Sequence, residues 1–185
     1  MKRIGIFLLA AVCCLALFGC GGSSSPAASD TGRDYAQIVH NARGEDFNEA
    51  FAIYTPDGKG GYAAIDGYAS ELDDDGRRAQ AEMLFQMLNL RQEDVTDYAL
   101  SVSLMNTQSY AVAIVRPAEG KTDTVRTALQ TYIDGQKQAM EQYLPDQYEI
   151  AGAAKVAVTP TGEVVLVCCE DSDTVLASLE SALKA

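Results

Sequence analysis

Two stretches, Ala111-Val112-Ala113-Ile114-Val115 and Val164-Val165-Leu166-Val167, are apolar at every position. Successive side chains on a strand point to opposite faces, so a strand of this kind is solvated on neither. Each stretch closes a hairpin. Tyr98, Leu100, Val102 and Leu104 alternate with Ala99, Ser101 and Ser103, the period-two pattern of a half-buried strand. Asn106-Thr107-Gln108 then turns the chain into a second strand over 109–116. The order recurs with a strand over 155–159, the turn Pro160-Thr161-Gly162 and a strand over 163–170. A helix follows each hairpin. The spacing predicts one over 122–144, with Val125, Leu129, Tyr132, Ile133, Met140 and Tyr143 as its stripe and Pro145 past its end. It predicts another over 172–183, with Val175, Leu176, Leu179 and Leu183 inward, and Asp123-Thr124-Val125 and Asp173-Thr174-Val175 open the two alike. The fold class is α+β: a ββα-ββα pseudo-repeat forming a four-stranded, mainly antiparallel sheet with two helices on one face, plus N-terminal helices. The other face needs cover as well, from those N-terminal helices or from a partner.

Upstream, residues 34–43 read as a short helix with Tyr35, Ile38 and Val39 on one side and a stop at Gly44. A second helix is expected over 77–90, where Ala81, Leu84, Phe85 and Leu88 repeat at helical spacing. Between them, 47–75 carries Pro56 and the turn-rich Asp57-Gly58-Lys59-Gly60-Gly61, with too little periodicity to assign an element.

The chain begins with Met1-Lys2-Arg3, a positive n-region, and an apolar run from Ile4 to Leu17. This is the layout of a secretion signal, and it is short for a membrane span. It ends in Leu17-Phe18-Gly19-Cys20, which resembles a bacterial lipobox. That resemblance implies cleavage before Cys20 and a diacylglycerol, with palmitate-type acyl chains, on its sulfur. Gly21-Gly22-Ser23-Ser24-Ser25-Pro26 opens a flexible tether. The expected organisation is therefore a signal peptide over 1–19, the lipidated Cys20 and tether over 20–32, and a single domain over 33–185. Such a protein is held by its lipid anchor on the extracytoplasmic face of the cell membrane.

Loss of Lys2 and Arg3 with the signal takes the formal net charge from -12 to -14. A surface so acidic repels phosphate backbones, which argues against a nucleic-acid partner. After cleavage only Cys168 and Cys169 remain besides the lipidated residue. Neighbours on a strand point apart and sit too close for ordinary disulfide geometry, so the pair reads as two reduced residues of a sheet.

Few constellations carry chemistry. A single histidine, His40, excludes a metal site built of several imidazoles. A thiol–imidazole couple of His40 with Cys168 or Cys169 has nothing in the sequence to assemble it. The acidic stretch from Glu71 to Glu82 can be numbered as a calcium loop, with Glu71, Asp73, Asp75 and Glu82 as candidate oxygen ligands and Gly76 at the turn. Arg78 stands where an apolar residue belongs and no second loop pairs with it. The plain alternative is a helix start capped by Asp75.

The segment Tyr143-Leu144-Pro145-Asp146-Gln147-Tyr148-Glu149-Ile150-Ala151, with Met105-Asn106, Val125, Ala128-Leu129, Gln136, and Val165-Leu166-Val167 leading to Asp171, resembles domain of unknown function 4358, an uncharacterised lipoprotein family of Gram-positive bacteria. The resemblance spans about 84–183 and does not depend on the acidic stretch. The family commonly has Ser where this chain has Cys168 or Cys169, which implies that no thiol is required. It brings no reaction, ligand or partner. Tyr143, Leu144, Pro145, Asp146 and Gln147 are its signature, which has a plain reading as a structural corner. Together these readings lead to a non-enzymatic binding or accessory module of the cell envelope, with no cofactor and a protein or solute partner. The alternatives are a surface-displayed hydrolase-type enzyme and a calcium-dependent module.

Overall fold

A computed structural model describes residues 32–184, apart from the Ser70 side chain. Cys20, the signal and nearly all of the tether lie outside the described residues. In chain order the helices are α1 (Tyr35–Ala42), α2 (Glu45–Ala50), α3 (Asp74–Met87), α4 (Thr122–Met140), α5 (Pro145–Ala153) and α6 (Ser172–Lys184). The strands are β1 (Ile53–Pro56), β2 (Tyr62–Ile65), β3 (Val95–Val102), β4 (Ala111–Pro117), β5 (Lys155–Val158) and β6 (Val164–Cys168). They form one six-stranded sheet in the order β2-β1-β3-β4-β6-β5, with every neighbouring pair antiparallel.

The apolar strands lie at the centre of that sheet and are covered on both faces. On one face Leu100, Val102, Ala111, Ala113, Val115, Val164, Leu166 and Cys168 pack under α3 and α4, through Leu84, Phe85, Val125, Leu129 and Ile133. On the other, Ile53, Ala99, Val112, Ile114, Val165, Val167 and Cys169 pack under α1 and α6, through Tyr35, Val39, Val175, Leu179 and Leu183. The α+β class and the antiparallel sheet thus hold, but the two C-terminal helices do not share a face. Had α4 and α6 packed together, Val112, Ile114, Val165 and Val167 would have kept only α1 for cover. Splitting the helices buries all four residues completely. The cover of the second face is internal to the chain.

Three other expectations change. The stretch 47–75 supplies α2 and the β1–β2 hairpin, which extends the sheet from four strands to six. Pro145 does not merely follow a helix ending at 144. The long helix stops at Met140, and Pro145 is the first residue of α5, where its missing N–H costs nothing. The helix over 77–90 begins earlier, at Asp74, and its cap is Asp73 rather than Asp75: the Asp73 Oδ1 accepts the Gly76 N–H at 2.8 Å.

Candidate functional site

Strand β3 has two unlike neighbours. It shares seven registered pairs with β4, from Val95↔Pro117 to Val102↔Ala111, but only Tyr54↔Leu100 with β1. Beyond that pair the β1–β3 seam opens. Pro56 has no N–H to give. Side chains take over the ladder at Tyr98: the Thr55 hydroxyl donates to its carbonyl at 2.9 Å, and its N–H donates to Asp97 Oδ1 at 2.8 Å. A register shift between Val95 and Asp97 re-aims the strand at this point.

A cavity of about 410 Å³ lies in this open end, within the size range of small-ligand sites. Tyr62, Phe85 and Tyr98 give it an aromatic wall, and Arg33, Asp34, Thr55, Gln92, Thr96 and Asp97 give it polar groups. The Phe85 and Tyr98 rings meet edge to face at 4.9 Å. Burial pushes the Tyr98 hydroxyl well above its ordinary pKa, and Tyr62, Asp97 and Asp57 push it the same way. Tyr62 is raised too, first by burial and then by Glu82, with the Gln92 hydrogen bond and Arg78 opposing.

Behind the cavity stands a carboxylate with no solvent exposure. Glu163 Oε1 accepts from Tyr35 Oη at 2.9 Å, Arg116 at 2.8 Å and Arg33 at 3.4 Å. Its Oε2 accepts from the Thr159 hydroxyl at 2.6 Å and from that of Thr161. Burial would raise its pKa, but these bonds, those of Thr159 and Thr161 foremost, outweigh it and bring it down to about 2. Glu163 thereby fixes Arg33 and Tyr35, two lining residues at the start of α1.

The closed end of the seam is held by the opposite charge. The Arg43 side chain is fully buried. Nε donates to Asn48 Oδ1, Nη1 to Ser101 Oγ and Tyr110 Oη, each at 2.6 Å, and Nη2 to the Phe51 carbonyl at 2.7 Å and Asp66 Oδ2 at 3.0 Å. All five guanidinium hydrogens are used. Asp66 also meets His40 Nδ1 at 2.8 Å. It is presented by a left-handed backbone, φ 65°, followed by Gly67 at φ 47°, where a Cβ would sit 2.7 Å from the Ala52 nitrogen.

The residues singled out in the sequence lie elsewhere. Glu71, Asp73, Asp75 and Glu82 are exposed, Asp73 serves as a helix cap, and no group of three or more His, Cys, Asp or Glu among the described residues is arranged to hold a metal ion. His40 bonds Asp66, while Cys168 and Cys169 are buried on opposite faces of the sheet, with the Cys168 thiol pushed up by burial to about 12. The signature segment brings together two motifs: Gln147 Oε1 accepts the Ser109 N–H at 2.7 Å, joining the start of α5 to the β3–β4 loop that carries Met105 and Asn106. Leu144 stands just before α5 without a side-chain cap, Pro145 and Asp146 form its exposed first turn, and Tyr143 is 82% exposed. This is a corner, and none of its residues lines the cleft. Phe85 and Tyr98 show in the sequence only as apolar positions of a helix and a strand, and the polar lining, Thr55, Tyr62 and Asp97 among it, follows no motif spacing.

The model of a family described as "Domain of unknown function (DUF4358)" matches residues 69–169, more than half of the chain. The match starts earlier and stops sooner than the 84–183 of the resemblance, and it takes in the acidic stretch. It contains α3, β3–β6, α4 and α5, so that Phe85 and Val95–Tyr98 of the cleft fall inside it and Arg33–Tyr35 and the β1–β2 wall fall outside. No curated protein and no solved structure matches the chain.

Proposed function

The chain belongs to the DUF4358 family, and on that premise we propose that it is a lipid-anchored envelope protein whose domain binds a small solute without transforming it. The observation that carries this reading is the cleft. It is enclosed by rings, hydroxyls and fixed charges from four parts of the chain, and none of its lining residues is Ser, Cys or His. Both thiols are buried away from it, which weighs against nucleophilic chemistry there. A diacylated Cys20 would hold the domain at the outer face of the cell membrane, and no helix among the described residues is long and apolar enough to cross one. The calcium-dependent reading loses support because Asp73 is engaged as a cap.

Two measurements test the proposal. In cells, Cys20→Ser should release the protein from the membrane fraction; complete retention would favour a spanning signal instead. In vitro, melting of the full-length chain in detergent should be followed against a panel of small solutes, beside Thr96→Arg, which fills the cleft from an exposed position. A solute at 100 times its Kd stabilises by about 2.7 kcal/mol. The reading expects at least one such shift in the parent that Thr96→Arg abolishes. Turnover of a panel compound that Thr96→Arg also abolishes would establish the hydrolase alternative in its place.

A further inference from the structure

The class of solute follows from the two walls of the cleft, on the reading that it is a solute site. The β1–β3 ladder is open here, so groups from both faces of the sheet border the cavity. Tyr62, Phe85 and Tyr98 belong to the face under α3. Phe85 and Tyr98 are 4% and 8% exposed, whereas Tyr62, on the edge strand, is half-buried and is the ring a ligand can reach. Asp97 alternates with Tyr98, and Thr55 with Tyr54, which places both on the opposite face, that of α1. Arg33 and Asp34 join them at the start of α1. One wall is aromatic and the other is polar.

The charges of the polar wall are already engaged. Arg33 and Arg116 both direct Nη1 to Glu163 Oε1. Asp34 Oδ1 accepts the Gln37 N–H at 3.0 Å. Asp97 Oδ1 accepts the Tyr98 N–H at 2.8 Å, and a further interaction engages the residue. In the hairpin turn Asp57 accepts the Lys59 and Gly61 N–H groups at 2.7 and 2.8 Å and has the Lys59 charge beside it. Next to Tyr62 the effects of Glu82 and Arg78 oppose each other. An ionic ligand would find no counter-ion here without disturbing one of these arrangements. The net charge of -12 belongs to the whole chain, and beyond about 10 Å it is screened at 0.1 M salt. What the wall still offers is hydrogen bonding of both kinds. A carboxylate accepts at both oxygens and a guanidinium carries five N–H donors. The Thr55 and Thr96 hydroxyls donate to the Tyr98 and Arg116 carbonyls and keep acceptor lone pairs. A hydroxyl is donor and acceptor at once and suits such a mixture. A pyranose carries hydroxyls around its rim and C–H groups on its faces, and those C–H groups pack on the electron-rich face of an aromatic ring.

We propose that the cleft binds a neutral saccharide, with a pyranose ring stacked on Tyr62 and its hydroxyls on the polar wall of Arg33, Asp34 and Thr55. The probes are the methyl β-pyranosides of glucose, galactose and mannose. They are titrated by calorimetry, at physiological salt, into the full-length chain in a detergent without a sugar head group. At least one should bind. Its 6-ammonium and 6-carboxylate forms, which keep the ring and add a charge of either sign, should bind no more tightly. Tyr62→Leu should weaken the neutral glycoside about three- to tenfold, the range of an aromatic contact. Tyr62→Phe keeps the ring and loses only the hydroxyl that meets Gln92, and should stay close to the parent. Tighter binding of either charged form, or an affinity unchanged in Tyr62→Leu, would overturn the saccharide proposal and leave a binding cleft standing. Failure of every glycoside, while another solute still stabilises the parent and not Thr96→Arg, would overturn it in the same way. Failure of every solute would remove the binding reading as well.

Discussion

The two ends of the β1–β3 seam are each organised by one buried charge, Arg43 at the closed end and Glu163 at the open end. Arg43 is a cation surrounded mainly by neutral acceptors: an amide, two hydroxyls and a main-chain carbonyl, with one carboxylate beyond. Phe51 stacks on Tyr110 with ring centroids 3.9 Å apart, which seals the site. Glu163 is an anion that faces two guanidiniums standing 26% and 32% exposed. The first arrangement leaves no donor free and no room. The second holds its cations at the border of a cavity. A fully satisfied, sealed charge locks two parts of a fold together, whereas a charge with half-exposed partners can set the shape of a surface that meets a ligand.

That difference makes Arg43 the more costly residue to lose. Arg43→Met would leave the Asn48 amide oxygen, the Phe51 carbonyl and the Ser101 and Tyr110 hydroxyls short of a donor, and Asp66 with His40 alone. Breaking a buried charge network by removing one partner costs about 3–5 kcal/mol. Urea unfolding should show a loss of that size, a large part of the total stability of a domain. Arg43→Lys should recover little of it, because three donors on one nitrogen cannot reach five acceptor positions arranged for a planar fork. A cost under about 1 kcal/mol for Arg43→Met, in the range of a single neutral hydrogen bond, would mean that the closed end is not locked by this residue.

Glu163 should cost less and should reveal itself through pH. Its pKa in the folded protein, about 2, lies below the value of about 4.3 for an unfolded chain. A carboxylate with a depressed pKa contributes stability in full above the unfolded value and loses it as pH falls through the folded one. Glu163→Gln should therefore be less stable than the parent by about 2 kcal/mol at neutral pH, the scale of hydrogen bonds to a charged group. The gap should narrow between about pH 4.5 and 2 as the parent carboxylate gains its proton. Paired urea titrations across that window measure the gap. A gap that stays constant with pH would show that the charge of Glu163 does not hold Arg33 and Arg116 in place.

Neither knot was legible in the sequence, and the reason is physical. The central strands were readable because burial on two faces requires apolar residues at every position, and Ala111–Val115 and Val164–Val167 meet that requirement visibly. Helices α3, α4 and α6 were readable from their stripes. Their placement was not, since stripe spacing fixes which side of a helix is buried and says nothing about which side of the sheet receives it. The stretch 47–75 yields two four-residue strands on one edge, too short to build a period and interrupted by Pro56 and a run of glycines. Arg43 and Glu163 look in sequence like any charges at the end of a helix and the start of a strand. What makes them central is a set of partners from 2 to 130 residues away, most of them distant in the chain. The cleft was invisible for the same reason: its walls come from 33–35, 55–62, Phe85 and 92–98, and they meet only once the hairpin has docked on β3.

The smallest expected effect tests whether the open end of the seam is held by side chains in the way the closed end is held by Arg43. Thr55→Val keeps the shape of the residue and removes the hydroxyl that donates to the Tyr98 carbonyl. A neutral hydrogen bond contributes about 0.5–1.5 kcal/mol net. The loss should fall toward the low end of that range, because the Tyr98 carbonyl sits beside the cleft, where water can replace the donor. The consequence should also be local. Hydrogen exchange at Tyr54 and Leu100, the single registered pair of the seam, should quicken, while Ala113 and Leu166 in the central ladder keep their protection. If the substitution quickened exchange across the central strands, or cost as much as Glu163→Gln, the seam and the ladder would behave as one cooperative unit. The cleft would then be a rigid feature of the sheet, not an edge that opens and closes independently of the core.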